Sequence, residues 1–175
     1  RGILTDRNGK VLVSNRLAYT LTMSKTGFAD DASLNDAIWR LIALCRENDV
    51  VWVDTLPLSQ ALPYLYLASR EDADFTDFLK KAKLGDQLTA HEMLSALRTL
   101  FSIDESYTDA QARLIAGVRY ELYSRSSYVF AEDVPTELIS QIADGHFVGV
   151  TTGQSSLREY TTASAAHILG RITRI

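Results

Sequence analysis

The sequence has one cysteine and three prolines, and it lacks both a long apolar run and an excess of positive charge. A lone Cys45 cannot form an intrachain disulfide, so cysteine content does not distinguish a reducing from an oxidising compartment. No stretch approaches the roughly 18 consecutive apolar residues of a membrane span, and no signal peptide opens the chain. Lys and Arg number 18 against 22 Asp and Glu, a formal net charge of −4. Without a basic stripe to neutralise phosphates, the sequence predicts no nucleic-acid partner.

The composition of the sequence predicts a folded domain. Apolar residues make up 46% and charged residues 23% of the 175 positions, which is enough to bury a core of ordinary size without cross-links. The sequence starts at Arg1 without an initiator Met and stops at Ile175 within an apolar pattern. We therefore expect a fragment of a longer protein.

The first part of the chain has the pattern of a β-hairpin followed by a strand. Apolar residues lead into and out of an Asn8-Gly9 pair, which favours the positive φ values of a tight turn. From Leu17 to Met23, apolar residues alternate with small polar ones, the period of a half-buried strand. We predict a hairpin over 3–13 and a second strand over 17–23.

The middle of the chain has the pattern of four helices. Their predicted starts are Ser33 with Asp36 as a capping box, Asp74, Thr89 with Glu92, and Thr108 with Gln111. Apolar residues follow each start at helical spacing. The stripe of the first helix comprises Ile38, Leu41, Ile42 and Cys45. A short strand is expected at 50–53, after the first of these helices.

After Ser127 the pattern returns to strands. They are expected at 128–130, 147–151 and 157–160, with a turn at Gly153, a helix near Pro135 and a last helical turn over 164–169 before Gly170. Strands at both ends and helices between them predict an α+β fold, in which the terminal strands form a common base sheet and a mainly helical lobe fills the centre. The base is expected from 1–28 and 128–175, and the lobe from 29–127.

The three histidines form no metal-binding pattern. The helical zinc motif needs a second His four residues after the first, but Ser95 stands four residues after His91. Glu92 is explained as a capping residue, and His146 and His167 lie far from it in the sequence. We predict neither a metal nor a cofactor.

Lys25-Thr26-Gly27 matches a triad that lines the active site of penicillin-recognising serine enzymes, and 33–35 matches their SxN motif. The SxxK nucleophile is absent, because no lysine of the chain has a serine three residues before it. Without a serine activated by a base, no acyl-enzyme forms by that route. We predict no catalytic residue; a hydrolase whose Ser/His/Asp triad is assembled only in the fold stays a further alternative.

The two ends of the chain resemble one protein family. Residues 1–12, RGILTDRNGKVL, are similar to the RGxIxDRNGxxLA signature that follows the membrane anchor of class B penicillin-binding proteins, with Val13 in place of the usual Ala. Gly149-Val150, Arg158-Glu159-Tyr160 and the AAHILG stretch at 165–170 resemble the family's gV…RxYP…AAHxxG stretch, with Thr161 in place of Pro. The segments DTLP at 54–57 and VRY at 118–120 resemble the same domain.

The resemblance implies a noncatalytic pedestal over 1–175, usually called the dimerisation domain. Its structural motif would comprise Arg1, Gly2, Asp6, Arg7, Asn8, Gly9, Arg158, Tyr160 and Gly170. The parent protein would hold a D,D-transpeptidase domain in cis, towards the C terminus, and would bind penicillin. A single N-terminal transmembrane helix would anchor the parent on the extracytoplasmic face of the cell membrane, where divisome or elongasome proteins would be partners and dimerisation would be possible.

The charged turn at Asp6 and Arg7 is expected to pair with the segment 158–160, which would fix how the two ends of the chain meet. The expected function is that of a scaffold that positions the transpeptidase domain away from the membrane and offers surface to other proteins. A stand-alone extracytoplasmic interaction module without an enzyme partner is the alternative.

Overall fold

The computed structural model describes residues 4–5, 7–9 and 11–160. Within them the chain forms four strands and five α-helices. In chain order these are β1 (Leu4–Thr5), β2 (Val11–Ser24), α1 (Asp31–Glu47), α2 (Ala73–Ala82), α3 (Ala90–Leu100), α4 (Asp109–Tyr123), β3 (Ser127–Val134), α5 (Thr136–Asp144) and β4 (Val150–Tyr160). A short 3₁₀ helix, Ala68–Glu71, precedes α2.

Strand β2 is the centre of an antiparallel sheet. One of its edges pairs with β4 along the whole register from Val13 to Met23. The other edge is shared, because β1 pairs near the start of β2 and β3 pairs with its second half. Val13 lies opposite Leu4 on one side and opposite Tyr160 on the other. The predicted α+β fold with a common sheet of terminal strands is confirmed.

The helices and the sheet share one apolar core. Leu21 and Met23 of β2 are fully buried in the same cluster as residues of all five helices. The predicted stripe of α1, from Ile38 to Cys45, is fully buried as well. The apolar stripes of α3 and α4 supply further core residues, namely Met93, Leu94, Leu97, Leu114, Ile115, Val118 and Leu122. Helical spacing of apolar residues therefore identified the inward faces correctly.

The start of α1 differs from the predicted one. The N-cap is Asp30, whose carboxylate accepts a hydrogen bond from the backbone N–H of Ser33, and the Ser33 hydroxyl accepts one from the N–H of Asp30. Ser33 thus occupies the third helical position instead of the cap, and Asp36 lies within the helix. Asp30 is an equally good capping residue about one turn earlier. The helix therefore begins at Asp31 and is longer at its N-terminal end than predicted.

Three strand predictions were also wrong. Residues 50–53 form no strand, since the only backbone bond linking them to β3 is from the N–H of Val53 to the carbonyl of Phe130 at 2.8 Å. Gly153 is not a turn but a paired residue opposite Thr20, so β4 is continuous where two strands were expected. Strand β2 is likewise continuous from 11 to 24, and Leu17, expected to face inward, is 59% exposed. The helical turn expected over 164–169 lies outside the described residues.

Strand β3 bends at Asp133. Tyr19 pairs with Val134 and Thr20 with Glu132, so Asp133 is an extra residue, and its φ is +58°. Its carboxylate pairs with the guanidinium of Arg16 across the sheet. This hydrogen-bonded pair lowers the pKa of Asp133 below its usual value. The bulge and the ion pair together hold β3 in register with the middle of β2.

Candidate functional site

The described residues of the predicted structural motif lie towards one end of β2. Arg7, Asn8 and Gly9 form the turn between β1 and β2, where Gly9 has a φ of +80° that favours glycine. The backbones of Arg158 and Tyr160 belong to β4, opposite Asn15 and Val13. The other members of the motif, Arg1, Gly2, Asp6 and Gly170, lie outside the described residues.

The pairing of Asp6 with the segment 158–160 therefore stays a prediction. Within that segment, the register brings Tyr160 closer than Arg158 to the start of β2, because Arg158 lies opposite Asn15. A double-mutant cycle that combines Asp6→Ala with Arg158→Ala tests for a direct contact, since independent residues give additive changes in the free energy of unfolding.

The Lys25-Thr26-Gly27 triad has a structural role. The Nζ of Lys25 donates a hydrogen bond of 2.9 Å to the carbonyl of Leu122, in the last turn of α4. A cation at the C-terminal end of a helix binds carbonyls that have no partner within the helix. Gly27 has a φ of +93° where the chain leaves β2. The matching Ser33 belongs to the capping box of Asp30 at the start of α1, so Ser33 and Lys25 contact the ends of two different helices.

The two described histidines lie at opposite kinds of helix end, His91 at the start of α3 and His146 beyond the end of α5. His91 precedes Glu92, whose carboxylate accepts hydrogen bonds from the N–H and the hydroxyl of Thr89 in the capping box of α3. His146 lies beyond α5 with a φ of +48°, and its Nδ1 is 2.8 Å from the carbonyl of Asp144. His167 is outside the described residues. Over the described ranges, no group of three or more His, Cys, Asp or Glu is arranged to hold a metal ion.

A buried ion pair that was not predicted from the sequence connects α4 to the loop after α1. The side chains of Arg113 and Asp54 are 1% and 3% exposed, and the Nη1 of Arg113 is 2.9 Å from Oδ2 of Asp54. The same guanidinium donates from Nη2 to the carbonyls of Leu56, at 3.0 Å, and Leu58, at 2.6 Å. Such a fully hydrogen-bonded arrangement is what a buried charge requires.

Gly117 makes this pair possible. A Cβ at this position would lie 2.6 Å from Oδ1 of Asp54 and 2.9 Å from Nη1 of Arg113. Glycine within a helix costs about 1 kcal/mol relative to alanine, so its presence in the middle of α4 indicates a close approach of another group. This glycine was the signal in the sequence that could have revealed the buried pair.

A second buried carboxylate, Glu121, lies near the end of α4. Its Oε1 accepts hydrogen bonds from the hydroxyl and the backbone N–H of Thr55. No described residue donates a hydrogen bond to its Oε2, whose nearest charged partner is Nη1 of the exposed Arg125 at 3.7 Å. The neighbouring hydroxyl of Tyr128, on a side chain that is 6% exposed, has no hydrogen-bond partner. Burial raises the pKa of Tyr128, and the charges of Glu121 and Asp54 raise it further.

These carboxylates open onto a cavity of about 640 Å³, here called the acidic groove, which is walled by the 54–56 loop, the start of α2 and the end of α4. Its lining contains five carboxylates and two basic residues, namely Asp54, Asp72, Asp74, Asp77, Glu121, Lys81 and Arg125. Tyr120 lies in its wall. Burial raises the pKa of Tyr120 to about 12, with smaller contributions from the charges of Glu121, Asp74 and Asp72.

The fold is that of an α+β domain in which the polar side chains described above serve caps, turns and buried ion pairs. The chain belongs to the family of penicillin-binding protein dimerisation domains, whose model it matches over residues 1–175. None of the curated proteins compared with it is significantly similar in sequence.

Among solved structures, the chain is similar to penicillin-binding protein 2B of Streptococcus pneumoniae strain 5204, with a TM-score of 0.48 and 18% identity over 99% of this chain and 28% of that one. It is also similar to penicillin-binding protein 2B of strain R6, with a TM-score of 0.43 and 19% identity over 98% of this chain and 27% of that one. The chain thus spans little more than a quarter of the length of these proteins. None of the helices that the structure describes is long and apolar enough to cross a membrane.

Proposed function

We propose that this domain is the noncatalytic scaffold of a class B penicillin-binding protein that acts in peptidoglycan synthesis. The observation that carries the proposal is the match of the whole chain to the dimerisation-domain family. In this role the domain positions a serine-type D,D-transpeptidase domain of the parent protein away from the membrane. The parent is anchored on the extracytoplasmic face by one N-terminal transmembrane helix.

Two features of the molecule support a scaffold. Leu4 and Tyr160 flank the same residue of β2, so the strands β1 and β4 belong to one sheet. The core of that sheet is continuous with the helices above it. In the proposed division, a base made of 1–28 and 128–175 carries a helical lobe made of 29–127. At the base, the motif from Arg1 to Gly9 would contact the segment from Arg158 to Gly170.

The lobe is the proposed surface for other proteins. Five of the large apolar side chains that are exposed lie in the segment 51–67, namely Val51, Val53, Leu62, Leu65 and Leu67. Exposed apolar residues that form one contiguous patch are typical of interaction surfaces, and the closeness of these five in the sequence favours such a patch. Divisome or elongasome membrane proteins are the partner class that the scaffold role implies. The same clustering supports the alternative, a stand-alone interaction module without an enzyme partner.

The gene that encodes the chain separates these alternatives. A scaffold requires a downstream coding region with SxxK, SxN and KTG motifs in that order, whereas a stand-alone module has none. A labelling experiment tests the assignment of catalysis to the parent. A fluorescent penicillin should label the parent protein and leave this chain unlabelled, because the chain has no SxxK serine. Covalent labelling of the chain by itself would contradict the proposal.

A further inference from the structure

A second cavity lies on the helical lobe, between the segment 52–64 and the start of α4. Its volume is about 620 Å³, and it is here called the tryptophan groove. Its large apolar lining residues are Trp52, Leu62, Tyr64 and Leu114. Tyr64 and Leu114 are buried, whereas Leu62 is 77% exposed. The groove therefore combines a buried apolar floor with a leucine that the chain itself leaves in solvent.

The apolar lining of the tryptophan groove is held in place by contacts within the chain. The ring of Trp52 stacks on that of Phe130 in β3, with centroids 6.2 Å apart and planes inclined by 2°. The N–H of the next residue, Val53, donates a hydrogen bond of 2.8 Å to the carbonyl of Phe130. The loop that carries the exposed leucine is closed by Ser59, whose hydroxyl accepts a hydrogen bond from the N–H of Leu65 at 3.0 Å. A surface fixed in this way loses little conformational entropy when a partner binds.

The charges of the lining select the chemistry of the occupant. Arg46 is the only basic residue in the lining. It is exposed in the last turn of α1, and its side chain forms no ion pair with any residue that the structure describes. Asp109, the acidic residue of the lining, is already bound by Arg98 at 3.1 Å. The groove therefore keeps one uncompensated positive charge beside an apolar surface, and an acidic group is its electrostatic complement.

A protein segment fits this surface better than a membrane does. Anionic lipid surfaces attract clusters of several basic residues, whereas this groove offers one arginine in a chain of net charge −4. The exposed apolar residues Val51 and Leu65 lie close to the groove in the sequence and extend the apolar surface beyond a small cavity. Such an extended surface favours a peptide chain over a small molecule.

We propose that the tryptophan groove binds a short segment of a partner protein in which a leucine stands beside an acidic residue. The leucine side chain packs on Trp52 and Leu62, and the carboxylate pairs with the guanidinium of Arg46. A volume of about 620 Å³ is within the ordinary range of ligand clefts. The inference rests on the interaction part of the proposed function, but it needs no transpeptidase domain, so the two can fail separately.

The test uses short peptide probes and matched variants of the chain. The probe is acetyl-Ser-Leu-Glu-Leu-Ser-amide, and two further peptides carry Lys or Gln in place of the glutamate. Arg46→Glu reverses the charge of the groove, and Lys81→Glu is its control, because both residues are exposed in the last turn of a helix. Leu62→Ser removes the exposed leucine, and Leu17→Ser removes an exposed leucine of the sheet.

Two signals report binding. The chain has two tryptophans, so Trp39→Phe leaves Trp52 as the single source of indole fluorescence. Phenylalanine keeps an aromatic ring against Tyr107, the edge-on neighbour of Trp39. All variants are made in this background. Amide chemical shifts of the isotope-labelled chain locate the bound peptide and show by their dispersion that each variant is folded.

The glutamate probe should change the fluorescence of Trp52 and the amide shifts of residues 46–64 and 108–114. Its affinity should fall about tenfold, or 1.4 kcal/mol, in Arg46→Glu and in Leu62→Ser, and should stay unchanged in both controls. The lysine peptide should bind Arg46→Glu better than it binds the parent sequence, because the charge of the pair is reversed on both sides. The glutamine peptide should bind both with equal, intermediate affinity.

Several outcomes would overturn the inference. Equal weakening by Arg46→Glu and Lys81→Glu, or no reversal with the lysine peptide, would mean that no specific ion pair forms. Absence of any change at about 1 mM probe, or shifts outside the groove, would exclude the groove as the site for this segment. Equal changes caused by monomeric octyl glucoside would make it a cavity for small amphiphiles. Changes that appear on concentrating the chain without peptide would assign the groove to a second copy.

Discussion

At the residue scale, the unpartnered hydroxyl of Tyr128 lowers the free energy of unfolding of the domain. It is buried against the charges of Glu121 and Asp54 without a hydrogen bond. A buried polar group without a partner costs about 1–3 kcal/mol. Tyr128→Phe removes only that oxygen, so we expect the free energy of unfolding in urea to rise by about 1 kcal/mol.

Tyr66→Phe is the matched control for this prediction. The hydroxyl of Tyr66 donates a hydrogen bond of 2.9 Å to the carbonyl of Leu88. Its removal should lower the free energy of unfolding by about 1 kcal/mol. If Tyr128→Phe destabilises the chain as much as Tyr66→Phe does, the hydroxyl of Tyr128 has a partner and its assigned environment is wrong.

Gly117 offers a second test at the same scale. Alanine favours a helix interior by about 1 kcal/mol over glycine, but at this position its Cβ would overlap the carboxylate of Asp54. We expect Gly117→Ala to destabilise the chain by about 1–3 kcal/mol, because the added methyl group overpacks a buried site. Thermal and urea unfolding followed by circular dichroism measure the change.

Gly85→Ala is the control for Gly117→Ala. A Cβ at Gly85 would lie 3.8 Å from Cγ of Leu88, an ordinary contact. The substitution should therefore be neutral or stabilise by about 0.4–1 kcal/mol, since it reduces the freedom of the unfolded chain. Equal effects at the two glycines would contradict the close approach of Asp54 to α4.

At the scale of elements, the corrected start of α1 has a pH-dependent consequence. Hydrogen bonds from the backbone and side chain of Ser33 lower the pKa of Asp30. A carboxyl with a lowered pKa in the folded state stabilises the fold above its unfolded pKa, near 3.9, and loses that contribution as the pH falls through its folded value. Asp30→Ala should therefore lower the free energy of unfolding at neutral pH, and should lower it much less at a pH below the folded pKa of Asp30.

Asp36→Ala separates the observed cap from the predicted one. Asp36 is exposed within α1 and caps nothing, so its removal should change stability less than that of Asp30 at neutral pH. Melting temperatures of the two variants, measured across the acid range, give the comparison. A larger loss in Asp36→Ala would restore Ser33 as the N-cap and contradict the described helix start.

The helices were predictable from the sequence because their signals are local. The capping boxes of α3 and α4, at Thr89 and Thr108, lie within four residues of the groups they bind. The strands were harder, since the partner of Gly153 is Thr20, far away in the sequence, and nothing local distinguishes a paired glycine from a turn. The burial of Arg113 and Glu121 was not predicted, because their partners belong to a loop about 60 residues earlier in the chain.

At the scale of the whole molecule, stability should decline in alkaline solution. Burial raises the pKa of Cys45 to about 12 and that of Tyr120 to about 12, and it also raises the pKa of Tyr128. The unfolded chain releases these protons at about pH 8.5 for cysteine and pH 10 for tyrosine, whereas the folded chain keeps them. The free energy of unfolding therefore falls as the pH rises above these values.

Urea unfolding at a series of alkaline pH values measures this decline. Each proton that only the unfolded state releases contributes a slope of about 1.4 kcal/mol per pH unit. Tyr128→Phe should make the slope shallower above about pH 10 and leave it unchanged below. A free energy of unfolding that stays constant through this range would mean that these side chains titrate normally in the folded state.

The position of β2 determines the path of any force applied between β1 and β4. Leu4 on one edge and Tyr160 on the other lie at the same level of the strand, opposite Val13. Tension applied between these two points crosses β2 sideways, along its hydrogen bonds, over a width of about 10 Å. That path passes through none of the five helices that the structure describes, so a partner bound to one of them would lie outside the line of this force.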